Sequence, residues 1–402
     1  MGATAGLGGV TTPLGYRASG SSAGIKAGHG LDLALLVSDT PATAAAVFTT
    51  NRALAAPILV SREHLHASGG VARAIVVNSG CANACTGDEG FRAAREMAAE
   101  TARLVGCSVA EVLVASTGVI GVALPIDKIR AALPAAFRGL AADQGSAAAR
   151  AIMTTDPFPK EAGAEIQIGG RAVRIGGMAK GSGMIEPMMA TMLGFVTTDA
   201  DVPQPLLARA LREAVDDSFN AITVDGECST NDSVMLLANG AGGASIDELT
   251  YRPFVQALQA VCRELAMGIV RGGEGATKLV TVRIVGAASH ADAWLAARTI
   301  ANSPLVKTAI HGGDPNWGRL VAAAGRSGAA FVLDRASVSI GDIPLFARGV
   351  PHDDRARAAA DVLKAREITV TVDLGTGGDQ QATMWTCDFS AEYVKINAEY
   401  RT

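Results

Sequence analysis

The chain has 402 residues, 49% of them apolar and 18% charged, with 35 basic and 39 acidic side chains interspersed for a net charge of −4. This is a globular composition, long enough for about two domains with a core each, neither disordered nor carrying the basic face of a nucleic-acid partner. No apolar run approaches the ~20 residues of a bilayer span, residues 1–16 lack a secretory-signal pattern, and six scattered cysteines read as reduced thiols, so a cytoplasmic protein with no membrane or nucleic-acid partner is expected.

In chain order, residues 31–37 and 45–49 are short apolar or β-branched runs bounded by turn residues, and read as strands. Residues 73–77 form another strand that runs into Asn78-Ser79-Gly80. The Ala-, Glu- and Arg-rich stretch 88–105 predicts an amphipathic helix. Residues 112–115 form a buried strand ending in Ser116-Thr117-Gly118, and a helix follows over 126–140. Residues 165–168 and 172–175 flank Gly169-Gly170-Arg171 as a hairpin. The hairpin leads into a glycine-rich run, 176–183, and glycines and a proline are expected to hold the stretch from Lys180 on out of regular structure. Strands are expected at 192–196, 221–224, 234–238, 279–285, 331–333, 337–340 and 368–372. Helices are expected at 204–217, 254–270, 290–300 and 355–364, with a glycine-rich turn over 311–318. Helices and strands without strict alternation argue for mixed or antiparallel sheets packed by helices.

Several motifs fail on their chemistry. Gly272 to Lys278 looks like a phosphate loop, but Thr277 precedes Lys278 and Leu279 follows it. Asp225-Gly226-Glu227 with Asn231-Asp232 has the wrong spacing for an EF-hand. Cys81 and Cys85 lie four apart, which is not a zinc-ribbon pair. Gly181-Ser182-Gly183 follows Lys180 where a nucleophile elbow needs glycine. The six histidines form no cluster in sequence. One segment stands out, running from Lys180 through Gly181-Ser182-Gly183 to Ala190-Thr191-Met192: a Gly/Pro-rich approach, then a small residue before a threonine at the mouth of a strand.

That segment resembles the cleavage signature of the ornithine acetyltransferases, also called glutamate N-acetyltransferases. The resemblance continues, in order, through Asn78-Ser79-Gly80 to Gly87, Ser116 to Gly121, Met153-Thr154-Thr155-Asp156, Thr223 to Gly226 with Ser229 to Ser233, Gly273 to Lys278, His311 to Arg319 and Tyr393 to Thr402. Cys81 stands where the family more often has asparagine and Pro157 where it has threonine, while Glu186, Met188 and Met189 sit in a variable stretch. The resemblance implies a layered αββα-type sandwich with mixed or antiparallel sheets and a smaller second α/β domain. It implies self-cleavage between Ala190 and Thr191 into an α chain, residues 1–190, and a β chain, residues 191–402. Two of each would form a heterotetramer.

A threonine hydroxyl is a weak nucleophile without a base. Cleavage would give Thr191 a free α-amine, whose pKa of ~7.7–8.0 suits proton transfer near neutrality. The resemblance assigns Thr191 as nucleophile and Thr117 and Gly118 as the oxyanion hole. It assigns Thr154, Lys180, Thr191, Glu274, Asn397 and Thr402 to the substrate, with Lys180 matching a carboxylate and Glu274 an ammonium. The expected cycle is ping-pong: N-acetylornithine acylates Thr191 and glutamate takes the acetyl group. No metal or organic cofactor is implied, and acetyl-CoA is left open as a co-substrate. The rival readings are an N-terminal-nucleophile amidohydrolase or aminopeptidase of related fold, and a ligand-binding protein that never cleaves. Tyr393, Val394 and Ile396 are expected to anchor the C-terminal segment by burial.

Overall fold

The computed structural model describes residues 8–28, 30–186 and 192–399; Ala190, Thr191 and Thr402 lie outside them. The chain divides into two units. Unit 1 comprises Met1–Asn220 and Glu227–Ile269, and unit 2 comprises Ala221–Gly226 and Val270–Arg401.

Unit 1 contains β1 (Tyr16–Ser21), β2 (Leu33–Phe48), α1 (Ala56–Ala67), β3 (Val71–Cys81), α2 (Gly87–Val105), β4 (Val112–Val119), α3 (Ile126–Arg138), α4 (Gly145–Ala151), β5 (Lys160–Ile168), β6 (Arg171–Lys180), β7 (Leu193–Thr198), α5 (Gln204–Asp216), β8 (Ser233–Ala238) and α6 (Tyr251–Arg271), whose last residues enter unit 2. Its sheet runs β4-β3-β2-β8-β7-β6-β5, with β1 also paired to β2. β3 with β4 and β7 with β8 are parallel; the other neighbours are antiparallel. The period-2 alternation of strands sorts side chains to two faces. Leu33, Leu35, Val37, Ala74, Val76, Val112 and Val114 share one core with Met97 of α2 and Ile129 and Leu133 of α3. Their alternating neighbours Ala34, Leu36, Ile75, Val77, Leu113 and Ala115 enter a second core with Ala148, Phe195 and Met235. Burial on both faces is why these strands read as unbroken apolar runs.

Unit 2 contains β9 (Leu279–Ala287), α7 (His290–Ala301), α8 (Pro304–Gly312), α9 (Trp317–Gly325), β10 (Ser337–Ile340), β11 (Ile343–Ala347), β12 (Val350–Pro351), α10 (Ala356–Val362), β13 (Glu367–Asp373), β14 (Gln380–Cys387) and α11 (Ala391–Glu399). The sheet order is β12-β11-β10-β13-β9-β14, with β13 parallel to β9. Val280, Val282, Ile284, Val370 and Val372 pack with Ala293, Ala297 and Ile300 of α7 and Leu320 of α9. Helix α7 starts where the Ser289 hydroxyl accepts from the Asp292 amide at 3.1 Å, satisfying one of the amides a helix start leaves open. The mixed α/β class, the mixed sheets and the smaller second α/β unit are as expected. No described helix is long and apolar enough to cross a membrane.

Four local expectations change. Residues 221–224 are not a strand: Phe219–Ala221 is a 3-10 turn and Ile222 makes only an isolated bridge to Trp385. Its apolar pattern reflects burial of Ile222 and Val224, not pairing. Residues 331–333 likewise give one backbone bond, Val332 N–H to Leu374 O, before the 3-10 turn Leu333–Arg335. The expected turn over 311–318 shortens to residues 313–316, with His311 and Gly312 ending α8 and Trp317 and Gly318 starting α9. Finally, the second hairpin strand does not stop at residue 175: Gly176 to Lys180 continue β6, paired on both edges. A Cβ on Gly176 would sit 2.2 Å from the Gly9 carbonyl oxygen, so this glycine serves a close backbone approach and not a turn.

Candidate active site

The parallel ends of β3 and β4 form the floor of the site. Asn78 stands opposite Ser116, Ser79 opposite Thr117 and Gly80 opposite Gly118. Ser116-Thr117-Gly118 is thus the paired end of a strand, not a free turn. The Ser116 hydroxyl donates to Asn78 Oδ1 at 2.6 Å, and Asn78 Nδ2 donates to the Cys81 carbonyl at 2.8 Å. Asn231 braces both strands from the approach to β8, donating to the carbonyls of Ala82 at 2.6 Å and Ser116 at 2.9 Å. All these side chains are buried, and a buried polar network with its partners satisfied is rigid. Gly118 has φ +129°, and a Cβ there would lie 2.4 Å from Gly80 C. Only glycine fits, so the peptide at Gly118 has a fixed orientation.

Lys180, the last residue of β6, brings the predicted residues together. Its Nζ donates to Thr117 Oγ1 at 3.1 Å and to Thr154 Oγ1 at 2.8 Å, with only 4% of the residue exposed. Its counter-ion is Asp156, whose Oδ2 lies 4.0 Å away. Asp156 also pairs with buried Lys160, and accepts from the amides of Thr154 at 3.0 Å and Gly181 at 2.8 Å. Burial would push the Asp156 carboxyl up, but Lys180, Lys160 and the donated hydrogen bonds outweigh it and hold it at about 2. Burial pushes the Lys160 ammonium down, an effect Asp156 opposes. Two buried cations around one carboxylate keep a positive charge beside Thr117 and Thr154.

On the far side of the segment singled out in the sequence, Met192 precedes β7. Its amide donates to Asp232 Oδ1 at 2.8 Å. Asp232 is fully buried, and desolvation raises its carboxyl well above the usual range, with the Met192 amide and Lys180 acting against that rise.

In unit 2, Glu274 is buried, and its Oε2 accepts from Asn397 Nδ2 at 2.8 Å. Asn397 also donates to the Tyr393 carbonyl at 3.0 Å within α11. The Tyr393 hydroxyl donates to Asp225 Oδ2 at 3.2 Å, and its ring lies 4.3 Å from that of Phe389. The expected anchoring is corrected in part: Tyr393 and Ile396 are half-buried, but Val394 is 63% exposed. Once the segment is helical, Val394 falls on a different face from its neighbours. Asp388 gathers the Thr277 and Lys278 amides at 2.7 and 2.9 Å, the Thr277 hydroxyl at 2.5 Å and His311 Nδ1 at 2.7 Å. This explains why Gly273 to Lys278 is a loop despite its resemblance to a phosphate loop.

Thr117, Gly118, Thr154 and Lys180 therefore meet within unit 1, and Glu274 and Asn397 meet within unit 2. Ala190, Thr191 and Thr402 lie outside the described residues. Sequence reasoning quoted Asp156, Asn78, Asn231 and Asp232 only as parts of motifs. The signal that could have found them is their type: asparagine and aspartate at the ends of apolar strands must be satisfied when buried.

The sequence pattern of the ArgJ family matches residues 17–402. The arginine biosynthesis bifunctional protein ArgJ of Symbiobacterium thermophilum is 52% identical over 401 residues, covering 98% of this chain and 99% of that protein. The protein of the same name from Dehalococcoides mccartyi is 48% identical over 404 residues, covering 98% of both. Among solved structures, the arginine biosynthesis bifunctional protein ArgJ from Bacillus halodurans is 40% identical with a TM-score of 0.51, covering 52% of this chain and 100% of that one.

Proposed function

The chain belongs to the ArgJ family, and on that premise we propose that this enzyme of arginine biosynthesis moves an acetyl group from N-acetylornithine to glutamate through an acetyl-Thr191 ester, after cutting its own Ala190–Thr191 bond. The observation that supports the reading is that the chain is held at Lys180 before that bond and at Met192 after it. Lys180 ends β6 on the Thr117 hydroxyl, and Met192 enters β7 with its amide on Asp232.

In the cleavage step, Thr191 Oγ attacks the Ala190 carbonyl, the peptide C–N bond breaks, and water hydrolyses the resulting ester. The products are residues 1–190 and residues 191–402, two copies of each forming the assembly. The freed α-amine then serves as the base, so no histidine is called on. In the first half-cycle, Thr191 Oγ attacks the acetyl carbonyl of N-acetylornithine and passes its proton through the α-amine to the departing ornithine nitrogen. In the second, the glutamate amine attacks the ester and Thr191 Oγ recovers a proton. Each tetrahedral intermediate places its oxyanion on the Thr117 hydroxyl and Gly118 amide. The resemblance assigns Thr154 and Lys180 to the substrate. Glu274, held by Asn397, takes the ammonium group, with Thr402 as the last substrate contact. The acetyl group travels on the Thr191 oxygen without a cofactor, and acetyl-CoA is a candidate donor to the same oxygen.

Mass spectrometry of the purified protein tests the cut: two chains are expected, the second beginning at Thr191. Thr191→Ala should stay a single chain and transfer nothing; a fully cleaved Thr191→Ala protein would remove the nucleophile assignment. Acetyl transfer from N-acetylornithine to glutamate tests the reaction, and release of acetate to water alone would favour the amidohydrolase reading. Native mass measurement tests the two-plus-two assembly.

A further inference from the structure

We propose that Lys180 acts through Thr117: it is the positioning residue that turns the Thr117 hydroxyl into an oriented, polarised donor for the oxyanion. This rests on the reading of Thr117 as an oxyanion donor and gives Lys180 a role other than holding a substrate carboxylate.

An ammonium group has three protons to donate and no lone pair to accept with, whereas a hydroxyl can do both. With Lys180 Nζ 3.1 Å from Thr117 Oγ1, the direction of that bond is fixed. Lys180 donates, Thr117 accepts, and the Thr117 proton must point elsewhere. A hydroxyl that accepts from a cation is also a stronger donor through its own proton, because successive hydrogen bonds polarise one another and charge-assisted ones do so most. A second proton of Lys180 is taken by Thr154 Oγ1 at 2.8 Å, and Asp156 holds the cation from 4.0 Å. The lysine is thereby pinned on three sides in a site from which water is nearly excluded. There is little freedom left for it to swing onto an incoming carboxylate. The arrangement costs no reorganisation when the negative charge develops, which is the condition under which fixed donors are most effective.

The test is a double-mutant cycle on the full chain with Lys180→Met, Thr117→Val and both together. kcat and KM for N-acetylornithine and glutamate are normalised to the cleaved fraction seen on a denaturing gel. Each single change should lower kcat on the order of 10²-fold with KM little altered, and the double variant should be no slower than the worse single one. Losses that multiply, or a Lys180→Met protein with raised KM and unchanged kcat, would overturn the proposal and return Lys180 to simple substrate binding. If Thr117→Val alone leaves kcat intact, the oxyanion-hole reading itself fails, which separates the two outcomes. Should Lys180→Met not fold, Lys180→Arg keeps a cation and a donor, and its loss must likewise vanish in the Thr117→Val background. Should a variant cleave too slowly to be assayed for transfer, the same cycle is read on the rate of self-cleavage, which passes through the same kind of oxyanion.

Discussion

The two places where predicted site residues meet are built differently. In unit 1, buried Asp156 is the shared counter-ion of buried Lys160 and Lys180 and accepts from the Gly181 amide just past the end of β6. In unit 2, buried Glu274 is met by Asn397 from α11, a nine-residue helix with no fully buried side chain. The first arrangement draws its precision from the sheet and would be costly to disturb. The second rests, among the described residues, on side-chain bonds from Asn397 to Glu274 and from Tyr393 to Asp225 and on the Tyr393 ring, and can change with less effect on the rest of the fold. Groups aimed at a developing charge need the former; groups that recognise a substrate can tolerate the latter.

Replacing Asp156 should break the comparison most severely. Asp156→Ala leaves two buried lysines without their carboxylate, and the loss of stability in urea unfolding should be about 3–5 kcal/mol. A loss below ~1 kcal/mol would mean that the unit 1 ions are not mutually dependent. Acid should reach the same feature more gradually. The folded carboxyl of Asp156 titrates at about 2, below its ordinary 3.8, so its contribution is complete above the ordinary value. That contribution is then lost as pH falls from about 4 toward 2. Asp156→Asn should flatten this part of a stability–pH curve.

Asp232 gives an intermediate effect. Asp232→Ala leaves the Met192 amide without its acceptor, at about 1–3 kcal/mol. Asp232→Asn keeps an acceptor of the same shape and should recover most of that loss, since burial already favours a neutral side chain there. The smallest effect belongs to α11. Asn397→Ala takes one donor from buried Glu274 and should cost about 0.5–1.5 kcal/mol while weakening substrate use in the transfer assay. A large fall in melting temperature for this variant would erase the distinction between the two regions.

Much of this was legible from pattern. The hairpin of β5 and β6, the helix α2 and the paired apolar strands announce themselves through turn residues and periodicity. What was missed has no periodic signal. Helix α4 has the sequence Gly-Ser-Ala-Ala-Ala-Arg-Ala, with almost nothing to alternate, and it exists because it packs closely on β1. A Cβ on Gly20 of β1 would stand 2.3 Å from the Ala147 carbonyl oxygen. Helix α1 starts at an Ala-Pro pair in a stretch of weak amphipathicity. In the site, Thr117 and Lys180 could be nominated from their motifs. The hub role of Asp156 could not, because Lys160, Lys180, Thr154 and Gly181 converge on it only after β5 and β6 have paired.

The strand order of unit 1 has a consequence for how such a protein can be made. β7 and β8, which follow the proposed cut, lie between β2 and β6, which precede it. The strands of the two products are therefore interleaved, with one seam of backbone hydrogen bonds at β2–β8 and another at β6–β7. Neither product could complete the sheet alone, and each would carry unpaired edges of the kind that template aggregation. If the chain is cut there, folding must come before processing, and the cut molecule would be a heteromer whose parts had no separate soluble history. A gene divided at the codon for Thr191 would ask two half-sheets to find each other strand by strand in a crowded cell, which is a reason for a chain that is to be cut there to be made whole first.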